Sequence, residues 1–384
     1  MKPDEGAYIS PIHLPRKDFP ALANNDFAYL NSGASGPPPY RVIDAMREAD
    51  DRLSGPAYLE GVGLFALQAE ANNSARGAAA RLVNAGPDDV ALTQNTTHGM
   101  NLGVAAVDWR EGDEVVSTAT EHPGCLMPLH VLARRSGVKV RLVSPPVTPE
   151  KIEAAITPRT RLLAISHVDW TNGEVLPLAE ICGRGVLTLV DGAQSVGNIP
   201  VDVPATGADM YAFTGHKWVL GPEGMGALYV RPGLHVHSPN VGYLSLHAPA
   251  DFDKGGDYEL RGDARRFEAS TMSAALAGGF AEAADATRER GAEGPAEIRR
   301  RADLLTGLLS ELPRVTLRSP TPAQSGLVSF EVSGMAAEDA VGRLLKQRFV
   351  LRHVPAERPH IRASTHLFNA DEELEGLAKA VHKL

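Results

Sequence analysis

From about residue 90 onward the chain alternates short apolar runs with amphipathic ones. β-branched and aliphatic residues cluster at 90–94, 114–119, 138–144, 161–168, 187–193 and 210–214, in lengths suited to strands. Stretches with helical spacing separate most of them, as at 99–107, 126–135 and 149–156. This alternation predicts an α/β fold: a mainly parallel sheet covered by helices on both faces, with ligands taken up at the carboxyl ends of its strands. Gly and Pro pairs mark the loops, and the sequence shows no internal repeat or low-complexity tract.

After about Arg261 the pattern changes. Long helical stretches at 273–290, 295–312 and 336–348, and a last helix from Asp371, are interleaved with short strand patterns at 327–332, 350–354 and 360–364. That mixture reads as a separate, smaller α+β unit. The expected organisation is an N-terminal arm (1–20), a large domain (21–285) and a small C-terminal domain (286–384).

Composition narrows the function. With 384 residues, 43% hydrophobic and 22% charged, the chain has the balance of a globular protein with ample core. A net charge of -9 with no basic run lacks the footprint of a nucleic-acid binder. The N-terminal stretch has no signal-peptide core and no later apolar run reaches membrane-spanning length, so a cytoplasmic enzyme is expected. Two cysteines, Cys125 and Cys182, are too few for a disulfide framework, and no Cys or His spacing fits a metal site.

Lys217 lies just beyond a strand pattern in Tyr211-Ala-Phe-Thr-Gly-His-Lys217-Trp, in apolar surroundings. The other lysines fall at termini, on polar helix faces, in a Gly-rich loop or in the edge-strand pattern around Lys139. Desolvation lowers an amine's pKa, and the free amine is the form that attacks an aldehyde; a surface lysine after a strand is the plain alternative. Asp191 ends the apolar run Leu187-Thr-Leu-Val-Asp191, where a carboxylate can face a pyridinium nitrogen, or serve as a helix cap or a magnesium-binding loop acid. Thr96 and Thr97 follow a strand and open a helix in Asn95-Thr96-Thr97-His98-Gly99, a setting that suits phosphate and equally an ordinary N-cap. His122 in Glu121-His122-Pro123 also follows a strand, free to stack on a ring or to sit as a satisfied loop histidine. Asn172 and Gln194 offer amides that could bond a ring hydroxyl.

Taken jointly, in order and spacing, the Asn-Thr-Thr turn, Glu-His, Thr-Asn-Gly, Val-Asp-Gly-Ala-Gln and Gly-His-Lys segments resemble the class V aminotransferases. This is the pyridoxal-phosphate (PLP) family that includes cysteine desulfurases and isopenicillin N epimerase-like proteins. The resemblance runs from Tyr29-Leu-Asn31-Ser-Gly33 to His360-Ile-Arg362-Ala-Ser364 and implies the type I fold of PLP-dependent transferases. It also implies roles. Lys217 would hold the cofactor as a Schiff base, Asp191 would pair with the ring nitrogen and His122 would stack on the ring. Asn172 and Gln194 would contact ring substituents, with Asn172 also near the substrate. Thr96, Thr97, Thr214 and His216 would hold the phosphate, Thr271 would add a phosphate contact from the partner subunit of a homodimer, and Arg362 would clamp the substrate carboxylate. In the segment carrying Thr271 the chain has Ser270 where family members often have Gly.

One departure bears on the reaction. Cysteine desulfurases carry a nucleophilic cysteine shortly before that arginine, and here residues 350–362 contain none, which argues against persulfide transfer through that loop. Cys125, close after His122, is a small buried thiol or an activated one. The expected activity is β-elimination from a cysteine-like amino acid. Transamination and epimerisation share its first step, and a non-catalytic PLP or amino-acid sensor is the alternative of another class. Trp170, Tyr58, Tyr243 and His353 are candidate pocket walls.

Overall fold

The computed structural model describes residues 12–56, 59, 63–248 and 252–384. Strand β1 (Ala28–Tyr29) and helices α1 (Tyr40–Ser54) and α2 (Leu64–Leu82) come first. Then follow β2 (Val90–Thr93), α3 (Thr96–Ala105), β3 (Glu114–Thr118), α4 (Pro123–Ser136), β4 (Lys139–Val143), α5 (Pro149–Ala155) and β5 (Thr160–Ser166). The middle of the chain continues with α6 (Leu178–Ile181), β6 (Leu187–Asp191), α7 (Val203–Thr206), β7 (Met210–Thr214), β8 (Gly226–Val230), α8 (Ala274–Glu289) and α9 (Glu293–Ser310). The C-terminal part holds β9 (Val315–Leu317), β10 (Leu327–Val332), α10 (Ala337–Lys346), β11 (Phe349–Val350), β12 (Arg352–Val354), β13 (His360–Ser364) and α11 (Asp371–His382).

A seven-stranded sheet runs in the order β2-β8-β7-β6-β5-β3-β4. All neighbours are parallel except β8, which is antiparallel to both β2 and β7. Apart from the edge strand β4, whose Lys139, Arg141 and Leu142 are exposed, the strands bury both faces, and their residues alternate between two apolar clusters: Val190, Tyr211 and Phe213 on one side, Leu189, Met210 and Ala212 on the other. That is why these strands read as near-continuous apolar runs. Lys139 lies on the edge strand, as its sequence setting implies. The architecture is the mainly parallel α/β arrangement that the sequence pattern predicts.

The apolar pattern misses some elements for physical reasons. Helix α2 buries Ala75, Ala78, Ala79 and Ala80 against the small residues of α8, so it shows no stripe of large apolar residues. Strand β8 returns antiparallel after the lysine loop, without the helix that the βαβ rhythm demands. The run 350–354 is two strands: β11 pairs parallel with β1, and β12 pairs with β13.

A four-stranded sheet, β12-β13-β10-β9, carries the C-terminal core. Our proposed division remains an arm, a large domain to 285 and a small one from 286, with one amendment. Ala28 and Leu30 pack into the C-terminal core with Phe330 and Leu377, because β1 pairs with β11. In the described portion of the arm, Ile12 and Leu14 pack beside Trp218 and Leu367, and Phe19 beside Phe368. No helix among the described residues is long and apolar enough to cross a membrane.

Candidate active site

A cavity of about 290 Å³ opens where the large sheet's strands end and the C-terminal sheet meets them. It is lined by Thr96, Thr97, His122, Asp191, Gln194, Thr214, His216, Lys217 and Arg362, along with Trp170, Arg352 and the Gly33-Ala34 turn. Nine residues singled out in the sequence therefore converge from five segments of the chain.

Gly99 in α3 brings one of these segments in. A Cβ there would meet the Ala212 Cβ at 2.6 Å, so only glycine lets the helix lie this close to β7. The close approach lowers the helix N-terminus onto the strand ends. Asn95 caps it, its Oδ1 accepting from the His98 N–H at 2.9 Å, while the Thr96 hydroxyl is buried without a partner among the described residues. Across the cavity Thr214 Oγ1 and His216 Nδ1 lie 2.7 Å apart. Hydroxyls and open amides at the positive end of a helix dipole make a cradle for a phosphate.

Lys217 follows β7 and lies half-buried at the cavity wall. Burial is the largest influence on its amine; Asp191 opposes it, Arg362 and Arg352 add to it, and the pKa falls to about 8. Asp191 ends β6 and accepts at Oδ1 from the Ala193 N–H at 2.9 Å. Burial raises its pKa, against that backbone hydrogen bond and the nearby Lys217, so a cationic partner would be welcome there. His122 caps α4, its Nδ1 accepting from the Gly124 N–H at 3.0 Å. Burial and then the charges of Lys217, Arg352 and Arg362 hold its pKa down to about 4, leaving a neutral flat ring at the cavity wall.

Gln194 is more constrained than its sequence setting indicates. Its Oε1 accepts from the Trp218 indole at 2.8 Å and its Nε2 donates to the Gly33 carbonyl at 2.8 Å, which leaves a single amide hydrogen for anything in the cavity.

Arg362 is buried on β13. Nη1 donates to the Trp170 carbonyl at 2.6 Å, whereas Nε and Nη2 have no partner among the described residues. Those two nitrogens form the side edge of the guanidinium, a ready fork for a carboxylate. Burial first, then Arg352, lowers its pKa to about 9, with Asp169 opposing.

Two residues are placed elsewhere. Asn172 does not line this cavity; its Oδ1 accepts from the Glu174 N–H at 2.9 Å and its carbonyl from Ser319 Oγ at 2.6 Å. The cause is the tight turn closed by Gly173 N–H to the Asp169 carbonyl at 2.8 Å, which carries Trp170 inward and Asn172 toward a neighbouring cavity beside Glu121. Thr271 sits on the exterior of the single chain, 2.6 Å from the Tyr243 hydroxyl. Of the candidate walls, Trp170 lines the cavity, Tyr243 and His353 do not, and Tyr58 lies outside the described residues. Arg352 escaped the sequence reading although it stands on β12 directly opposite Arg362 in register.

An aldehyde-reactive amine, a buried acid, a flat neutral imidazole and a phosphate cradle with an orphaned hydroxyl fit PLP group for group. The aminotransferase class-V family model matches residues 28–377.

The chain belongs to the class V aminotransferase family.

As a member it is a PLP-dependent enzyme. It is 32% identical to a protein of Aeropyrum pernix named probable cysteine desulfurase, over 96% of this chain and 97% of that one. Two solved structures match with a TM-score of 0.87. One is the complex between the cystine C–S lyase C-DES and its reaction product cysteine persulfide, 31% identical, covering 95% of this chain and 99% of the other. The second is a lysine-to-alanine variant of C-DES with glycine covalently linked to its PLP cofactor, 30% identical, covering 97% and 100%.

Proposed function

We propose that this class V enzyme is a carbon–sulfur lyase, acting by β-elimination on a cysteine-like amino acid without a protein persulfide. One observation carries the reading: no thiol reaches the cavity. The connection between β12 and β13, residues 355–359, has no cysteine, and the chain's two cysteines are buried, Cys125 fully and Cys182 at 8% exposure. Burial pushes the Cys125 thiol well up, reinforced by Glu121 and Asp191, and pushes Cys182 to about 12. A second subunit would bring only the same two thiols.

When bound, PLP supplies an electron sink for the pair left at the substrate α-carbon. Lys217 anchors the cofactor, and its freed amine then takes the proton from the α-carbon. Asp191 would hold the ring nitrogen in its cationic form, His122 would cover the ring, and Thr96, Thr97, Thr214 and His216 would hold the phosphate. Gln194 offers its remaining amide hydrogen to a ring substituent. Arg362 receives the α-carboxylate on its open Nε and Nη2 edge. The pair at the α-carbon forms a Cα=Cβ double bond as the Cβ–S bond breaks with its electrons leaving on sulfur, and the released 2-aminoacrylate tautomerises to an imine that water hydrolyses to pyruvate and ammonia. The name cystine C–S lyase borne by C-DES supports this reaction class, and makes L-cystine the first substrate to try. Thr271 supplies a phosphate contact across a homodimer, its exterior position in one chain being consistent with that use.

The test is the product. Loaded enzyme given L-cysteine or L-cystine should release pyruvate, ammonia and a sulfur-bearing fragment. Alanine together with a protein-bound persulfide would establish a desulfurase instead, the reading that the Aeropyrum relative's name favours. Exchange of the amino group, or racemised substrate, would mark a transaminase or an epimerase.

A further inference from the structure

Successive main-chain carbonyls of the turn that carries Trp170 are each held by a side chain from the C-terminal part of the chain. Arg362 Nη1 donates to the Trp170 carbonyl at 2.6 Å, Ser329 Oγ to that of Thr171 at 2.6 Å, Ser319 Oγ to that of Asn172 at 2.6 Å and Ser325 Oγ to that of Gly173 at 2.9 Å. A further contact comes from His360, whose Nε2 lies 2.8 Å from the Thr171 carbonyl. His360 opens β13 and shares a face of that strand with Arg362, two residues on.

The other ring nitrogen settles the charge. His360 Nδ1 lies 2.9 Å from the carbonyl of Arg358, in the loop that joins β12 to β13. A carbonyl oxygen only accepts, and a neutral imidazole has a single N–H. The buried ring therefore satisfies both contacts only as an imidazolium. His366, also buried, shows the neutral arrangement: its Nδ1 accepts from the Leu367 N–H at 2.8 Å while its Nε2 donates to the Trp218 carbonyl at 3.1 Å.

No acid among the described residues bonds to the His360 ring. Glu331 on β10 is taken by Arg318 at 2.7 Å, and Asp169 in the turn accepts from Thr171 and Thr120. Strand β12 brings Arg352 and His353, β13 brings Arg362, and the loop brings Glu357 and Arg358, both exposed. Helix α10 covers the other face of β13 through Ala340 and Leu344.

We propose that His360 is a positioning residue that acts as an imidazolium, latching the β12–β13 loop to the Trp170 turn and so steadying Arg362 for the substrate carboxylate. It rests on the role given to Arg362 above. When the ring loses a proton as pH rises, its one N–H stays with the buried Thr171 carbonyl, because water can serve the carbonyl of exposed Arg358 instead. The bare Nδ1 lone pair then faces that carbonyl and repels it. The loop is released beside the last β12–β13 rung, Val354 opposite His360, and the hold on the carboxylate loosens.

Two readouts on the PLP-loaded enzyme, taken from about pH 6 to about pH 9, test this. A glutamate-specific protease reports the loop through cleavage after Glu357, calibrated against cleavage after exposed Glu111. Calorimetry reports binding of propionate, which has no amine to react. In the unsubstituted protein, relative cleavage after Glu357 should rise about tenfold and propionate binding should weaken about threefold as pH rises. His360→Gln, whose amide takes the Nε2 place, should show the high-pH behaviour throughout; His360→Asn, with its amide at the Nδ1 place, should keep the loop closed throughout. Cleavage that does not respond to pH in the unsubstituted protein, or that responds equally in either variant, overturns the proposal. Should one variant fail to fold, the other decides, since each removes the pH dependence. Cleavage that titrates while propionate binding does not also overturns it, because the latch would then steady no carboxylate. The lyase reading is judged separately by its products, pyruvate against alanine.

Discussion

The Gln194 carboxamide bridges Trp218, the residue after Lys217, to Gly33 on the opposite wall of the cavity, with both hydrogen bonds at 2.8 Å. It is a brace between the lysine loop and the N-terminal turn. Gln194→Ala leaves a buried indole N–H and a buried carbonyl unpaired, each costing ~1–3 kcal/mol. Urea unfolding should show a loss of roughly 2–4 kcal/mol, with weakened cofactor retention on dialysis.

Lys217 links stability to pH. Its pKa in the folded chain is about 8 against an ordinary 10.5, so between those values the unfolded chain binds more protons and the cofactor-free protein gains stability as pH rises. Lys217→Met should raise the melting temperature of the cofactor-free protein near pH 7 and flatten its rise across that window. In the loaded protein the same substitution should abolish the visible absorbance of lysine-bound PLP. A band that survives at full intensity would mean another lysine holds the cofactor.

Asp191→Asn should keep fold and cofactor content while turnover drops a few hundredfold, about 3–4 kcal/mol, because an amide cannot hold the ring nitrogen cationic. Steady-state kcat at matched cofactor occupancy is the measurement, and near-normal values would remove Asp191 from that role.

Arg362→Lys should raise KM for amino acids far more than it alters reaction with simple amines. A lysine cannot present the parallel Nε and Nη2 donors that the Trp170 carbonyl leaves open. An equal effect on amines would mark Arg362 as a structural arginine.

Cys125→Ser with Cys182→Ser should retain most of the activity and lose stability instead, since both thiols pack in apolar clusters and a buried hydroxyl is a poorer guest than a thiol. Abolished turnover in Cys125→Ser alone, with cofactor binding intact, would return the mechanism to a persulfide.

Much of the site is legible in the chain because it hangs on strand ends. Asp191, Lys217, His122 and Thr96 each follow an apolar run directly, and in a parallel sheet the carboxyl ends of such runs lie side by side. Arg362 sits within β13 and is legible only through its resemblance to a family segment. The amides are harder. Gln194 lies where its position implies, but its partners are a glycine carbonyl and an indole distant in sequence, which no local pattern announces.

By itself the sequence determined the alternation of buried strands and covering helices, the lysine and acid at adjacent strand ends, and the lack of a cysteine before Arg362, because each depends only on local order and residue type. The tertiary structure alone decided the rest. The turn closed by Gly173 chose Trp170 over Asn172 for the cavity, and the register of β12 against β13 set Arg352 opposite Arg362. Turn direction and strand register place side chains by a half-rotation or a single residue, and such steps are settled by packing across the whole molecule rather than by the neighbours along the chain.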